Sequence, residues 1–341
     1  MEYENTKSHS SERPVIYDNH GRPITYLRLA VTDRCNLRCF YCMPEEGVKY
    51  LAKSKVLSYE EMLRIVRVLS ELGIRKVRIT GGEPFVRNNI IHLMKEITEL
   101  EGIEELNITT NGILTGKYIR EMKEMGVKSI NLSLDTLDKQ RFFEITRRDE
   151  FDIVYKTLFQ LIEAGFSVKV NAVVMDGKNT DDLIPLTELA RHHPVSIRFI
   201  EEMPFNGEGS HYPTLHWNAK RIVETLRHQY PDLYKLEDEK NSTSYNYHIP
   251  GFKGNVGVIA AFTRSFCGTC NRIRMTAQGE LKTCLYDDGV LSIRDLLRAG
   301  ISDEELKTTF LNIFQKRAKD GFEAEARRSS SVTESMTTIG G

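Results

Sequence analysis

A chain of 341 residues with 47 basic and 48 acidic side chains has a formal charge of −1, so its bulk charge draws it neither to nucleic acid nor to an anionic membrane. At 40% hydrophobic and 28% charged residues it reads as globular, and no apolar run approaches the ~18 residues that cross a bilayer. The opening MEYENTKSHSSERP lacks the apolar stretch of a secretion signal, which predicts a cytoplasmic chain. In that reducing compartment, six cysteines argue for metal binding or catalysis rather than structural disulfides.

Residues 1–20 are expected to form a flexible extension with no assigned role. From Gly21 the chain alternates β-rich runs with amphipathic helical ones. The predicted strands are TYLRLAV (25–31), KVRIT (76–80), ELNIT (105–109), SINLSL (129–134), SVKVNAVV (167–174) and VSIRFI (195–200). Ser58 followed by Glu61 is a capping box, Gly73 stops that helix, and Gly102, Gly126 and Gly165 stop three others. Strands separated by helices imply βαβ units and a parallel sheet.

These strands alternate instead of running continuously apolar. Val77 and Ile79 stand opposite Lys76, Arg78 and Thr80, while Ile130, Leu132 and Leu134 stand opposite Asn131, Ser133 and Asp135. Arg28, Lys169 and Arg198 likewise alternate with apolar neighbours. If the oily faces pack under helices, the wet faces converge inside a curved sheet. The fold class this predicts is α/β, an incomplete (β/α)6 TIM-like barrel over residues 21–240, with a C-terminal domain over 241–341. The stretch from Glu201 to His248, rich in aromatics and prolines, reads as a linker. A solvated edge strand would explain any one of the inward charges. Basic residues on four strands are better explained by a multiply charged anionic ligand, because a buried cation costs several kcal/mol unless paired.

Cys35-x3-Cys39-x2-Cys42 follows the first strand at its C-terminal end, where barrels place their chemistry. A zinc site would need a fourth ligand from elsewhere, and this spacing is not the usual zinc one. A four-iron cluster held by three thiolates keeps one iron open for a small chelating molecule. Cys267-x2-Cys270-x13-Cys284 repeats the pattern and uses the remaining thiols, which excludes a self-contained four-cysteine zinc ribbon and fits a second cluster. Arg272 and Arg274 point the same way if their run is extended. They read either as an exposed basic pair or as an anion clamp.

CNLRCFYC resembles the CxxxCxxC motif of radical S-adenosylmethionine enzymes, and TGGEP (80–84) resembles that superfamily's glycine-rich segment. GRPITYLRLAVTDRCNLRCFYCMP, RITGGEP, the TTNG of 109–112, NLSLD, RFIEEM, SFCGTCNRIRMTAQGELKTCL and a terminal Gly-Gly together resemble the GTP 3′,8-cyclase family, from about Gly21 to Gly341. Ala30, where a serine is common, is a departure that touches no proposed ligand.

The resemblance implies two [4Fe-4S] clusters, one on Cys35, Cys39 and Cys42 and one on Cys267, Cys270 and Cys284. It implies S-adenosyl-L-methionine beside Tyr41, Gly82, Ser133 and Met203. GTP would lie against Arg28, Arg78, Thr109, Lys169, Arg272 and Arg274, with Lys76 and Arg198 as further triphosphate contacts. Arg272, Arg274, Gly340 and Gly341 would act in catalysis. The implied reaction, the first step of molybdenum cofactor biosynthesis, starts with removal of the 3′ hydrogen of GTP and closes the ribose on guanine C8. The implied partners are an electron donor such as flavodoxin or ferredoxin, cyclic pyranopterin monophosphate synthase downstream, and a second copy in a homodimer.

Two other readings stay open at this level. One is a peptide-modifying radical S-adenosylmethionine enzyme with an auxiliary cluster; the basic lumen speaks against it. The other is a non-catalytic zinc or nucleic-acid-binding module. The tail from Arg327 reads as disordered by composition, yet the resemblance sends its end into the active site. Deleting Gly340 and Gly341 is therefore expected to suppress turnover while iron content stays intact, and normal turnover would refute the assignment.

Overall fold

Six strands alternate with helices as the hydrophobic pattern requires: β1 (Tyr26–Ala30), β2 (Lys76–Thr80), β3 (Glu105–Thr110), β4 (Ser129–Ser133), β5 (Ser167–Val174) and β6 (Ser196–Glu201). The computed structural model describes residues 14–207, 214–329, 331–332 and 334–340. Neighbouring strands are parallel and in sequential order, and the crossovers carry α1 (Tyr59–Glu71), α2 (Ile90–Glu99), α3 (Ile119–Glu124), α4 (Lys139–Thr146), α5 (Phe151–Glu163) and α6 (Leu183–His192). At the start of α1 both bonds of the capping box form: Glu61 N–H donates to Ser58 Oγ at 3.1 Å, and Ser58 N–H donates to the Glu61 carboxylate at 2.7 Å.

Register converts the period-two pattern into a surface. Arg28 pairs with Arg78 and Arg78 with Asn107; Lys169 lies between Asn131 and Ser196; Asn171 lies between Ser133 and Arg198. Their apolar neighbours Leu27, Leu29, Val77, Ile79, Val170 and Ile197 are fully buried in the main core. The sheet is an open barrel with its polar face turned inward.

Chain beyond the six strands finishes both free edges. In β7 (Ser244–His248), β8 (Asn255–Ile259), β9 (Arg272–Met275) and β10 (Glu280–Lys282), β8 runs parallel to β6 and β9 runs parallel to β1. The strand pairs Tyr234–Lys235 and Leu291–Ser292 end a twelve-stranded sheet. An uncovered edge would leave its N–H and C=O groups without partners. The pairing also aligns Arg274 with Arg28 and Arg272 with Tyr26, which carries the cationic row onto β9.

Three stretches differ from the sequence reading. The supposed linker contains the helix α7 (Ala219–Gln229), capped by Asn218 and burying Ile222, Val223 and Leu226 on one face. Residues 14–20 are not a flexible extension: Ile16 pairs with Ile24 across a short ribbon. Asp18 there binds Arg22 at 2.7 Å and Arg317 at 3.0 Å, all three side chains nearly solvent-free. The tail is also built in. Val332 and Ile339 pack with Phe205, Tyr286 and Ala324, and Met336 N–H donates to the Phe205 carbonyl at 2.9 Å. Residues 1–13 and Gly341 lie outside the described residues.

The Asp18 cluster joins the first ribbon to the C-terminal chain. Arg22 donates to the carbonyls of Cys267, Ala318 and Lys319, and Arg317 to those of Cys270, Arg272 and Thr283. Burial alone would raise the Asp18 carboxyl; hydrogen bonds from Arg22 and His20 and the charge of Arg317 outweigh it and hold the group below its usual value. Asp18→Ala is expected to cost about 3–5 kcal/mol in urea unfolding near neutral pH, because it strands two buried guanidinium groups. The wild-type contribution should fade as pH falls through the depressed carboxyl pKa. A loss under about 1 kcal/mol would contradict this role.

Candidate active site

The first thiol loop leaves the C-terminal end of β1 and is fastened to the top of the barrel by its own backbone. Arg38 N–H donates to the Thr146 carbonyl at 2.9 Å and Phe40 N–H to that of Ile145 at 3.1 Å. The N–H groups of Cys42 and Met43 both close on the Cys39 carbonyl, a tight turn that sets Cys39 and Cys42 near each other. The strip after β2 lies against this loop: Gly82 N–H bonds the Thr32 carbonyl and Glu83 N–H bonds that of Arg34, each at 2.8 Å. A Cβ on Gly82 would sit 2.1 Å from the Arg34 carbonyl oxygen, so only glycine permits the approach.

Two buried carboxylates brace the loop. Glu83 accepts from the N–H groups of Phe85 and Asn111 and from the Thr110 hydroxyl; burial pushes it up to about 7 against those bonds. Asp135 accepts from the Tyr41 hydroxyl and Val173 N–H, each at 2.8 Å, and burial pushes it up to about 6. Cys35, Cys39, Cys42, Tyr41, Gly82, Ser133 and Met203 all line one cavity of about 180 Å³. Thr109, expected beside the nucleotide, lines this cavity too, and its hydroxyl has no partner among the described residues.

The second triple lines an adjoining cavity of about 290 Å³ together with Arg28, Lys76, Arg78, Lys169, Arg198, Arg272 and Arg274. Asn171, Ile200, Met203 and Met336 belong to the walls of both cavities. Arg272 and Arg274 do face the same side, as an extended run requires. Arg274 donates to the Gly340 carbonyl at 2.7 Å, which fixes the end of the tail beside the lumen.

The lumen's electrostatics are those of crowded cations. Burial, reinforced by Arg198, Arg78 and Lys76, brings the Lys169 ammonium down to about 8. Burial with Arg28 and Arg272 brings Arg274 down to about 9, and burial with Arg78 brings Arg198 down to about 10. The Tyr26 hydroxyl accepts from Arg78 Nε at 2.5 Å. Burial would raise this phenol, but Arg78, Arg28 and Lys76 outweigh it and bring it down to about 7. Buried nitrogen atoms of Arg28, Arg198 and Arg272 and the side-chain oxygens of Asn131 and Asn171 have no partner among the described residues. Such atoms are costly to leave unpaired, so they mark where a polar, anionic ligand fits.

The donor sets fit iron–sulfur clusters. No cysteine is in a disulfide. Among the described residues no three His, Cys, Asp or Glu side chains gather as ligands of a single ion, and each cavity instead offers three separate thiols. Burial pushes the Cys35 thiol up to about 11 and Cys284 up to about 12, and raises Cys39, Cys42 and Cys267; neutral thiols of this kind become thiolates when they bind metal. Cys270 differs: burial is outweighed by Arg272 and Arg317, which bring it down to about 6.

Tyr26, Asn171 and Met336 were missed by the sequence reading. Tyr26 and Asn171 share the alternating inner face with Arg28 and Lys169, and that signal could have found them. Nothing local marks Met336.

Comparison with known proteins agrees with this geometry. Residues 29–190 match the family model described as Radical SAM superfamily, and 195–322 match that described as Molybdenum Cofactor Synthesis C. The solved structure of Streptococcus suis SuiB aligns with a TM-score of 0.61 at 15% identity, covering 91% of this chain and 70% of that one, a likeness of fold alone. The fold and the first thiol site define a radical S-adenosylmethionine enzyme, a class that binds S-adenosylmethionine and a [4Fe-4S] cluster.

The sequence relatives narrow the class. GTP 3′,8-cyclase of Syntrophomonas wolfei is 42% identical, with 87% of this chain and 91% of that protein covered. Mitochondrial GTP 3′,8-cyclase of Arabidopsis thaliana is 39% identical, covering 96% and 84%. The chain belongs to the GTP 3′,8-cyclase family. It spans about half the length of other curated relatives, such as molybdenum cofactor biosynthesis protein 1 of Bos taurus, 45% identical over 85% of this chain and 46% of that protein. Among the described residues no helix is long and apolar enough to cross a membrane.

Proposed function

We propose that this chain works as a GTP 3′,8-cyclase with two [4Fe-4S] clusters, at the first step of molybdenum cofactor biosynthesis. The observation that carries the reading is the pair of three-thiol cavities sharing Met203 and Met336, one of them floored by cations with unpartnered nitrogen atoms. Cys35, Cys39 and Cys42 hold the first cluster; Cys267, Cys270 and Cys284 hold the second. S-adenosyl-L-methionine binds at Tyr41, Gly82, Ser133 and Met203. When bound with the reduced first cluster it would supply a 5′-deoxyadenosyl radical for removal of the 3′ hydrogen of GTP; closure of the ribose radical on guanine C8 leaves an aminyl radical, which one further electron and a proton would convert to 3′,8-cyclo-7,8-dihydro-GTP.

The chain's own part is binding and exclusion. Arg28, Lys76, Arg78, Lys169 and Arg198 neutralise the triphosphate, and Tyr26 holds Arg78 among them. Arg272 and Arg274 bridge from the triphosphate side to the second cluster, where the guanine rests. Thr109 contacts the nucleoside from the first cavity. Ile200, Met203 and Met336 wall the reacting carbon from water, which protects a reactive radical. Gly340, held by Arg274, completes that wall without a side chain. A low-potential carrier such as flavodoxin or ferredoxin supplies the two electrons, one for cleavage of S-adenosyl-L-methionine and one for the cyclised radical; cyclic pyranopterin monophosphate synthase takes the product, and the working form is a cytoplasmic homodimer.

Anaerobically reconstituted protein given reductant, S-adenosyl-L-methionine and GTP is expected to form 5′-deoxyadenosine and cyclised GTP in step. Turnover of a peptide and none of GTP would transfer the chain to the peptide-modifying reading. Cys267→Ala should lose the iron of one cluster and keep uncoupled cleavage of S-adenosyl-L-methionine; product at the normal rate would remove the second triple from the substrate site.

A pH dependence follows from the lumen. As pH rises through about 7 and about 8, Tyr26 gains negative charge and Lys169 loses positive charge. Both changes weaken attraction for a polyanion, so GTP binding should take up protons and its affinity should fall between those values and about pH 9. Calorimetry in buffers of different ionisation enthalpy reads the uptake directly. Tyr26→Phe should remove the lower step, and binding without proton uptake would contradict the assignment.

A further inference from the structure

Arg317 does more around the second thiol triple than tie its backbone together. The helix Asp303–Phe314 buries Leu306, Phe310, Ile313 and Phe314. The chain then turns inward, and Arg317, 3% exposed, lines the second cavity. Asn19 Nδ2 donates to the Arg317 carbonyl at 3.1 Å, so the main chain is pinned there as well. Arg317 Nη1 donates to Asp18 at 3.0 Å. Its Nη2 donates to the Arg272 and Thr283 carbonyls, each at 3.1 Å, and to Cys270 Sγ at 3.8 Å.

The charge beside that sulfur is fixed. Arg272 also lines the second cavity, yet it leaves a buried nitrogen without a partner among the described residues, so a bound anion would share its charge. Arg317 directs its donors at the protein instead. Asp18 neutralises only part of the group it organises, because the guanidinium groups of Arg22 and Arg317 against one carboxylate leave one net positive charge. None of the three side chains is more than 5% exposed, so solvent screens that charge little.

The first triple has no counterpart. Among the described residues no lysine or arginine lines the first cavity, whereas Asp135, Glu201 and Glu202 do. The donor at its sulfur is a neutral amide, Asn111 Nδ2, 3.7 Å from Cys35 Sγ. Charge and hydrogen bonds at ligand sulfurs tune the reduction potential of an iron–sulfur cluster, and a buried cation favours the more negative, reduced form.

We propose that Arg317, oriented by Asp18, is a positioning residue that raises the reduction potential of the cluster held by Cys267, Cys270 and Cys284. The inference rests on the reading above that this triple holds a cluster. In the step concerned the cluster gains one electron from an external reductant, and no covalent bond forms or breaks.

The test is a mediated redox titration of the reconstituted full chain without nucleotide, followed by electron paramagnetic resonance. Titanium(III) citrate is the reductant, each Ti(III) giving one electron and becoming Ti(IV). The signal that disappears in Cys267→Ala identifies the second cluster. Arg317→Gln removes the charge and is expected to disfavour reduction of that cluster at least about tenfold, a fall of about 59 mV for one electron. The first cluster's potential and the iron content should stay at wild-type values. Arg317→Lys, which keeps the charge, should recover most of the shift. Asp18→Asn removes the opposing charge while leaving an acceptor for the guanidinium groups, so it should move the potential upward. That sign decides the matter should Arg317→Gln fail to load iron. A second-cluster potential within about twofold of wild type in Arg317→Gln would overturn the proposal. So would a lysine variant no better than the glutamine one, or a downward or absent shift in Asp18→Asn, since either would reduce Arg317 to packing. Wild-type enzyme that holds one cluster only would instead strike the underlying reading.

Discussion

Each parallel strand of the barrel must bury one face beneath its crossover helix, and in this chain the opposite face carries like charge. Arg274, Arg28 and Arg78 stand side by side on three neighbouring strands, with Lys169 and Arg198 farther round the same surface. Like charges on adjacent strands repel. They stay in place because a one-residue slip would carry the arginines under the helices and turn Leu27, Leu29, Val77 and Ile79 into the lumen. Hydrophobic burial outside thus enforces electrostatic crowding inside. An entering polyanion would relieve the crowding; burial first, and the neighbouring cations after it, depress Lys169, Arg198 and Arg274.

An open barrel supplies the space but not the second wall. That wall comes from chain beyond the sixth strand, which lies on both free edges and brings Cys267, Cys270 and Cys284 to the mouth of the lumen. Asp18 secures the arrangement from the far end of the sequence, since Arg22 and Arg317 reach from it to the carbonyls around the second triple. The tail then passes between the two sites: the Ser335 hydroxyl donates to the Cys42 carbonyl of the first loop, and Arg274 holds the carbonyl of Gly340. Both ends of the chain therefore help set the distance between the thiol triples.

How far this was legible in the sequence follows from the range of the interactions involved. The six strands were found to within about a residue because alternation is local, and the same alternation placed Arg28, Arg78, Lys169 and Arg198 on one surface. Glycine stops and the Ser58 cap are local as well. Residues 14–20 and the tail looked polar and unstructured, because what orders them lies far away along the chain: Arg317 for Asp18, Phe205 for Met336. The helix α7 was hidden because its narrow apolar stripe of Ile222, Val223 and Leu226 sits among charged residues. Tyr26 escaped because a tyrosine in a β-rich run reads as packing, and only its neighbours in register reveal a hydroxyl among cations.

The central claim is that nucleotide sits in the cationic cavity with its base against a metal group held by the second thiol triple. Pulsed electron–nuclear double resonance on reduced enzyme loaded with 15N-labelled GTP addresses it most directly. The account predicts a nitrogen hyperfine coupling from guanine that vanishes in Cys267→Ala. A reduced enzyme that holds one cluster only, or two clusters blind to the label, would contradict it.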